Sequence, residues 1–310
     1  MTPGSTSRRM LAVTCALSAL LLVAPARAAL DLALVQVSDI GSLGFGGVGG
    51  LAWDPASGEL WIADAAGSFF APGPGSTNRV ARINPLSGLA SVDFDASAAN
   101  IFLGPDAVAF DATAGELYLF SAFRDVVAGV TDTAGTTVRT LGIDPRAYAG
   151  AAFDASGALW VVDREPLTFE PDFLRRLDPA TGSVLGSLPI TGASVNPNLS
   201  GLAFDPLSGH AVGFDTDRQV LLEIDAVSGA VLSETAVGGW FTETSVPGGI
   251  AFDASGGRLF LGTGLPLGHP TGIVAELVVL ERTPSAVPLP GSGLLFALLG
   301  GGLLARRRRR

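Results

Sequence analysis

Between Leu30 and Glu281 short apolar runs alternate with turns built from Asp, Pro, Ser, Thr and Gly, and no stretch carries a sustained helical period. The runs come in pairs. Gly50-Leu-Ala-Trp-Asp-Pro-Ala-Ser-Gly-Glu-Leu-Trp-Ile-Ala-Asp64 recurs from Ala107 to Ser121, from Gly150 to Asp163, from Gly201 to Asp215 and from Gly249 to Thr263. The aromatic anchors Trp53, Phe110, Phe153, Phe204 and Phe252 lie 57, 43, 51 and 48 residues apart. Each copy reads as strand, tight turn, strand. Asp54, Asp111, Asp154, Asp205 and Asp253 open the turns, where a carboxylate can accept backbone N–H bonds, and glycines close them at positive φ. That duty accounts for the five carboxylates without a shared metal.

Between copies lies a second hairpin, Arg82 to Gly88, Arg176 to Gly182 and Glu223 to Gly229, with a looser version through Asp132 to Gly135. Each unit is then four antiparallel strands. Such units repeated every 40–50 residues around an axis describe a β-propeller. The fifth unit runs out of chain, because nothing after Ile273 to Leu280 can supply a fourth strand before Pro284. The missing strand is available at Leu30 to Val37. The expectation is therefore an all-β, five-bladed ring over 29–283 whose last blade is closed by the N-terminal strand; a six-bladed ring would require a disguised repeat.

The charge pattern separates this body from both ends. The basic residues are all Arg; three precede Ala29 and five close the chain, whereas all 29 acids lie between Asp31 and Glu281. The body thus holds 29 acids against 11 Arg, a net charge of about −18, which opposes nucleic acid and anionic membrane surfaces as partners. Residues 1–28 combine Arg8 and Arg9, an apolar run from Met10 to Val23 and the small-x-small triplet Ala26-Arg27-Ala28, the pattern of a secretory signal peptide cut after Ala28. A buried helix or uncleaved anchor is the competing reading. Two arginines also approximate a twin-arginine signal, although the general secretory route suffices. The one cysteine, Cys15, falls within the leader, so the exported chain would have no thiol for disulfides, metals or catalysis.

At the other end, 284–310, Val287-Pro288-Leu289-Pro290 precedes an uncharged stretch from Gly291 to Ala305 and the cluster Arg306, Arg307, Arg308, Arg309 and Arg310. Fifteen helical residues reach about 22 Å, short of a bilayer core of about 30 Å. The arginines belong on the cytoplasmic side, which leaves the body outside. This tail resembles the PEP-CTERM sorting signal of Gram-negative bacteria, with Leu289 where the name-giving motif has Glu; an ordinary tail anchor is the alternative. The resemblance implies a signal peptidase and an exosortase-like enzyme as processing partners, a membrane-held precursor with its body in the periplasm, and later residence at the cell surface or in extracellular polysaccharide.

The body resembles the broad class of bacterial propellers with NHL-like and YVTN-like repeats, the esterase-like phytase group and the gluconolactonase family. Gluconolactonase-like enzymes hold a divalent cation in the central channel with side chains just before the inner-strand glycine. The matching positions here are Gly49, Asp106, Ala149, Ser200 and Gly248, of which only Asp106 is a strong ligand, and a hard cation needs several oxygens. His210 and His269, the two histidines, fall on a hairpin turn and a Gly/Pro-rich loop, and read as solvated loop residues more readily than as bases. The acid pairs Asp93/Asp95 and Asp215/Asp217 could share calcium if each occupied one strand face, or could solvate an exposed edge. Connectors at Ala65 to Asn78, Arg164 to Pro171 and Gly262 to Gly272 carry Phe69, Phe70 and Phe169, suited either to a glycan or protein ligand or to packing on the blades. The leading expectation is an exported non-enzymatic binding propeller, and the alternative is a metal-dependent lactonase or phosphoesterase-like hydrolase.

Overall fold

A computed structural model describes residues 30–45, 47–64, 78–99, 105–121, 125–164, 172–193, 197–240, 246–264 and 275–283. The expected leader and sorting tail, His269 and most of the three aromatic connectors fall outside these. Among the described residues no helix is long and apolar enough to cross a membrane. Leu30–Pro284 form one compact unit.

That unit is a five-bladed propeller. The first strand, β1 (Leu32–Asp39), belongs to the last blade; blade 1 contains β2 (Val48–Asp54), β3 (Glu59–Asp64), β4 (Arg79–Ile83) and β5 (Ala90–Asp95), in that order from the axis outward. Blade 2 has β6 (Ala107–Asp111), β7 (Glu116–Phe120), β8 (Asp125–Asp132) and the first part of β9 (Thr137–Phe153). Strand β9 then passes without interruption into the inner position of blade 3, followed by β10 (Leu159–Arg164), β11 (Phe173–Leu177) and β12 (Val184–Pro189). Blade 4 is β13 (Leu199–Phe204), β14 (Ala211–Asp215), β15 (Val220–Ile224) and β16 (Val231–Ala236). Blade 5 is β17 (Val246–Phe252), β18 (Arg258–Gly264), β19 (Glu276–Arg282) and, outermost, β1 (Leu32–Asp39).

The N-terminal strand therefore closes the last blade. It pairs antiparallel with β19 from Leu32 opposite Arg282 to Asp39 opposite Glu276, with a bulge between Leu34 and Gln36. Its bounds lie two residues beyond the sequence expectation of Leu30 to Val37. Leu30 instead joins the apolar core between blades 4 and 5.

The second strand of each blade is apolar along its length because both of its faces are buried. Leu60 and Ile62 face blade 5 with Ala251, Phe260, Leu277 and Val279, whereas Trp61 and Ala63 face blade 2 with Val108, Leu117 and Leu119. The same alternation builds the three other seams, so five apolar cores separate five blades. Each aspartate at the end of an inner strand does what its position in the repeat suggests. Asp54 Oδ1 accepts the Ala56 N–H at 2.9 Å and Asp111 Oδ1 that of Thr113 at 2.8 Å, and Asp154, Asp205 and Asp253 hold their turns in the same way. The glycines closing these five turns have φ between 68° and 78°.

A further set of glycines narrows the axis. A Cβ at Gly50 would sit 2.5 Å from Val108 N, one at Gly150 would sit 2.5 Å from Gly201 C, and one at Gly249 would sit 2.6 Å from Leu51 N. These are equivalent positions in three blades, each pressed on the inner strand of the next. Five blades bring their inner strands close enough that this column must be nearly free of side chains. In blade 2 it holds Ala107, fully buried.

Candidate functional site

The constriction divides the channel into two mouths of different chemistry. One lies beside the starts of the inner strands, at the positions matching the metal ligands of gluconolactonase-like enzymes. There the inner strands of four blades bulge: the pairing register skips Gly49 in blade 1, Ala149 in blade 3, Gly201 in blade 4 and Gly248 in blade 5. A bulge re-aims the side chain it carries and is a common device near active sites. Here the re-aimed residues are three glycines and an alanine. A Cβ at Gly248 would collide with the Val48 carbonyl, so that position has no room for a ligating side chain. Ser200 is buried, and Asp106 stands half-buried just before β6, its N–H bonded to the Phe120 carbonyl at 2.9 Å.

Around this mouth a second column of polar residues ends the second strand of each blade: Asp64, Ser121, Asp163, Asp215 and Thr263, all buried. They tie second strands to their neighbours. Asp163 pairs with Arg175 of β11 and Asp215 with Arg218 at 2.8 Å, while Thr263 Oγ1 accepts the Glu276 N–H at 3.1 Å. Asp172, just before β11, is also buried, and its Oδ2 accepts the Leu199 N–H at 2.8 Å, linking blade 3 to the inner strand of blade 4. Burial pushes its carboxyl up to about 7; nearby Asp163 and Asp215 act in the same direction, against the Leu199 N–H and Arg164. Among the described residues no group of three His, Cys, Asp or Glu side chains is placed to hold a metal ion.

Asp215 and Asp217 do not share a strand face. β14 ends at Asp215, whose Oδ1 accepts the N–H groups of Asp217 and Arg218, and Asp217 is an exposed turn residue bonded to Asn198 Nδ2 at 2.9 Å. Asp93 and Asp95 do share a face, both exposed on the outermost strand of blade 1. Asp93 takes a two-point hydrogen bond from Arg79 (2.9 and 2.7 Å), and Asp95 accepts from Ser97, whose hydroxyl and N–H hold its pKa down.

His210 differs from the solvated loop residue that its turn suggests. It is half-buried, with Nδ1 against Glu223 Oε1, and Ser233 donates to Glu223 Oε2 at 2.9 Å. Glutamate stands between serine and histidine, so the imidazole does not reach the hydroxyl as it does in a nucleophilic triad. In blade 1, Glu59, Arg82 and Ser91 occupy a comparable place across the second, third and fourth strands, joined by an ion pair at 3.0 Å and a hydroxyl bond at 2.7 Å. Blade 4 builds a related ladder from His210, Glu223 and Ser233, in which serine bonds the third strand's glutamate.

The second mouth lies on the turn side. Here the five aromatic anchors, with the alanines before them, surround a cavity of about 120 Å³ lined by apolar side chains and, to a similar extent, by polar backbone. No charged side chain lines it. Trp53 stacks on Phe260 of blade 5, ring centres 5.5 Å apart, and Phe110 lies 6.1 Å from Trp61.

No protein-family model and no curated protein matches the sequence. Solved structures do. The chain is similar to the glutaminyl cyclase of Myxococcus xanthus at 16% identity and a TM-score of 0.58, over 82% of this chain and 98% of that one. It is similar at lower scores to Kuenenia stuttgartiensis hydrazine synthase (12% identity, TM-score 0.44, 78% and 67% covered). The Myceliophteria thermophila Cps50 (Swd1) β-propeller domain gives 10%, 0.41, 76% and 68%. At these identities the likeness is one of fold, on which activity depends on the site.

Proposed function

We propose that this chain is an exported, non-enzymatic β-propeller that serves as a binding or matrix-associated module, delivered by its leader and held at the membrane by its C-terminal tail. The observation that carries the non-enzymatic part is the chemistry of the channel mouth beside Asp106. Four inner strands bulge at Gly49, Ala149, Gly201 and Gly248, residues with no ligating or acid–base group, and the buried carboxylates behind them already serve Arg175, Arg218 and backbone N–H groups. A single half-buried carboxylate leaves most of a cation's coordination to water, which gives weak binding and little activation of bound water.

The remainder rests on the termini. Ala26 and Ala28 frame the signal-peptidase site. Val287-Pro288-Leu289-Pro290, the apolar stretch 291–305 and Arg306 to Arg310 form the signal that an exosortase-like enzyme would process, giving a periplasm-facing precursor and then a surface or matrix protein. Rigid blades carrying aromatic connectors suit a glycan or protein ligand.

The test is turnover. Lactones, phosphate esters and peptides with N-terminal glutamine are offered to the full-length chain with calcium, manganese or zinc, with and without chelator. The expected result is no metal-dependent turnover. Turnover that chelator abolishes, metal restores and Asp106→Ala removes would establish a metal-dependent enzyme instead.

A further inference from the structure

The cavity at the turn-side mouth has no part in the reading above, and its construction limits what it can accept. Its wall is the last half of all five inner strands, with Trp53, Phe110, Phe153, Phe204 and Phe252 at its outer ring. Its floor is the column of Gly50, Ala107, Gly150, Gly201 and Gly249, where the backbones of neighbouring blades meet too closely for an added Cβ at Gly50, Gly150 and Gly249. An occupant must therefore enter and leave by the turn side. A volume of about 120 Å³ is of the order of apolar cavities that admit a benzene-sized molecule.

The wall is not purely hydrocarbon. β2, β6, β13 and β17 are each the terminal strand of their sheet, and β9 pairs with β10 alone over its blade 3 portion. Their axis-facing edges thus meet no further strand and present backbone N–H and C=O groups to the channel. Polar backbone and apolar side chains share this wall about equally, so a guest that joins an aromatic ring to a neutral hydrogen-bonding group satisfies both parts of it.

The sign of charge is also constrained. Each inner strand leaves the cavity directly into a turn opened by aspartate. Asp54 and Asp205 are paired with Arg82 and Arg282, but Asp111, Asp154 and Asp253 have no arginine partner among the described residues. These carboxylates, on a body already strongly negative, repel an anionic guest.

We propose that the turn-side mouth of the channel is a binding site for a small uncharged aromatic molecule bearing one hydrogen-bonding group, of phenol or indole size. The site is on the other side of the constriction from Asp106, and it stands whether or not the body catalyses a reaction.

The probe is 4-methylphenol, titrated into the full-length chain in lipid nanodiscs while tryptophan fluorescence is recorded. Its controls are toluene, which lacks the polar group, and 4-methylbenzoate, which adds the charge. The expected result is a saturable change that Trp53→Phe removes, at least severalfold weaker with toluene and absent with 4-methylbenzoate. Ala152→Leu, placed in the wall, should weaken 4-methylphenol at least tenfold with the melting temperature close to the parent's; Ala109→Leu is the second plug should the first misfold. An unsaturable response, an equal response in a folded plug variant, or equal binding of 4-methylbenzoate would overturn the site.

Discussion

Adding one methyl group to the column that narrows the axis should be more damaging than adding it to a turn with a less favourable backbone. In Gly249→Ala the new Cβ would lie 2.6 Å from Leu51 N and 2.8 Å from Gly50 C. Ordinary contact requires several tenths of an ångström more, and backbone atoms of a neighbouring blade cannot swing aside as a side-chain tip can. The two inner strands must part, which loosens the seam where Leu51 packs with Ala251 and Phe260. Overpacking of this kind costs about 1–3 kcal/mol, and the rigid neighbours place it in the upper part of that range. For a domain of this size about 2–3 kcal/mol lowers the melting temperature by about 4–12 °C. Gly58→Ala supplies the comparison: its Cβ meets nothing within 4 Å, but φ is +69°, a conformation that costs an alanine about 1–2 kcal/mol. Calorimetry on the two variants and the parent should therefore rank Gly249→Ala as the less stable variant. A melting temperature for Gly249→Ala within a degree of the parent would refute the close approach of blades 5 and 1.

Three other outcomes follow from the same structure. Asp172 has its carboxyl pKa raised by burial to about 7, so its contribution to stability is fully present below the ordinary aspartate range near pH 4 and is lost as pH rises through 7. Urea midpoints between pH 4.5 and 8.5 should fall for the parent and fall less for Asp172→Asn; parallel curves would contradict this. Leu280→Ala, at a fully buried position opposite Leu34 and in the core between blades 4 and 5, should cost about 2–5 kcal/mol by denaturant unfolding, and a loss below 1 kcal/mol would show that this seam is loosely packed. Removing Leu30–Asp39 should lower the melting temperature by more than any single substitution, because it exposes the edge of β19; unchanged melting would disprove closure by β1.

The blade count and the closing strand were legible because the repeat is marked by residues with backbone duties. An aspartate that accepts N–H bonds and a glycine at positive φ cannot drift without losing the turn, so Asp54 to Gly58 and its four relatives keep register through the chain. The exact limits of β1 were not legible: Leu30 to Val37 is apolar at alternating positions throughout, and it is pairing with β19 and the bulge after Leu34 that begin the strand at Leu32. Nor did the pattern show that β9 runs from blade 2 into blade 3, since Pro145 suggests a break where the strand continues. The burial of His210 is not legible in the sequence because its partner, Glu223, lies on a different strand of the same blade, and only the folded ladder brings the two together. The bulges beside Asp106 and the turn-side cavity depend on contacts across blades, which a repeat describes one blade at a time.

Display of the ring outside the cytoplasmic membrane, with its own tail as the anchor, is tested most directly by protease added to spheroplasts making the full-length chain with an epitope after Arg310. The predicted result is digestion of the propeller and protection of the epitope until the membrane is lysed. A propeller that stays intact until lysis would contradict it.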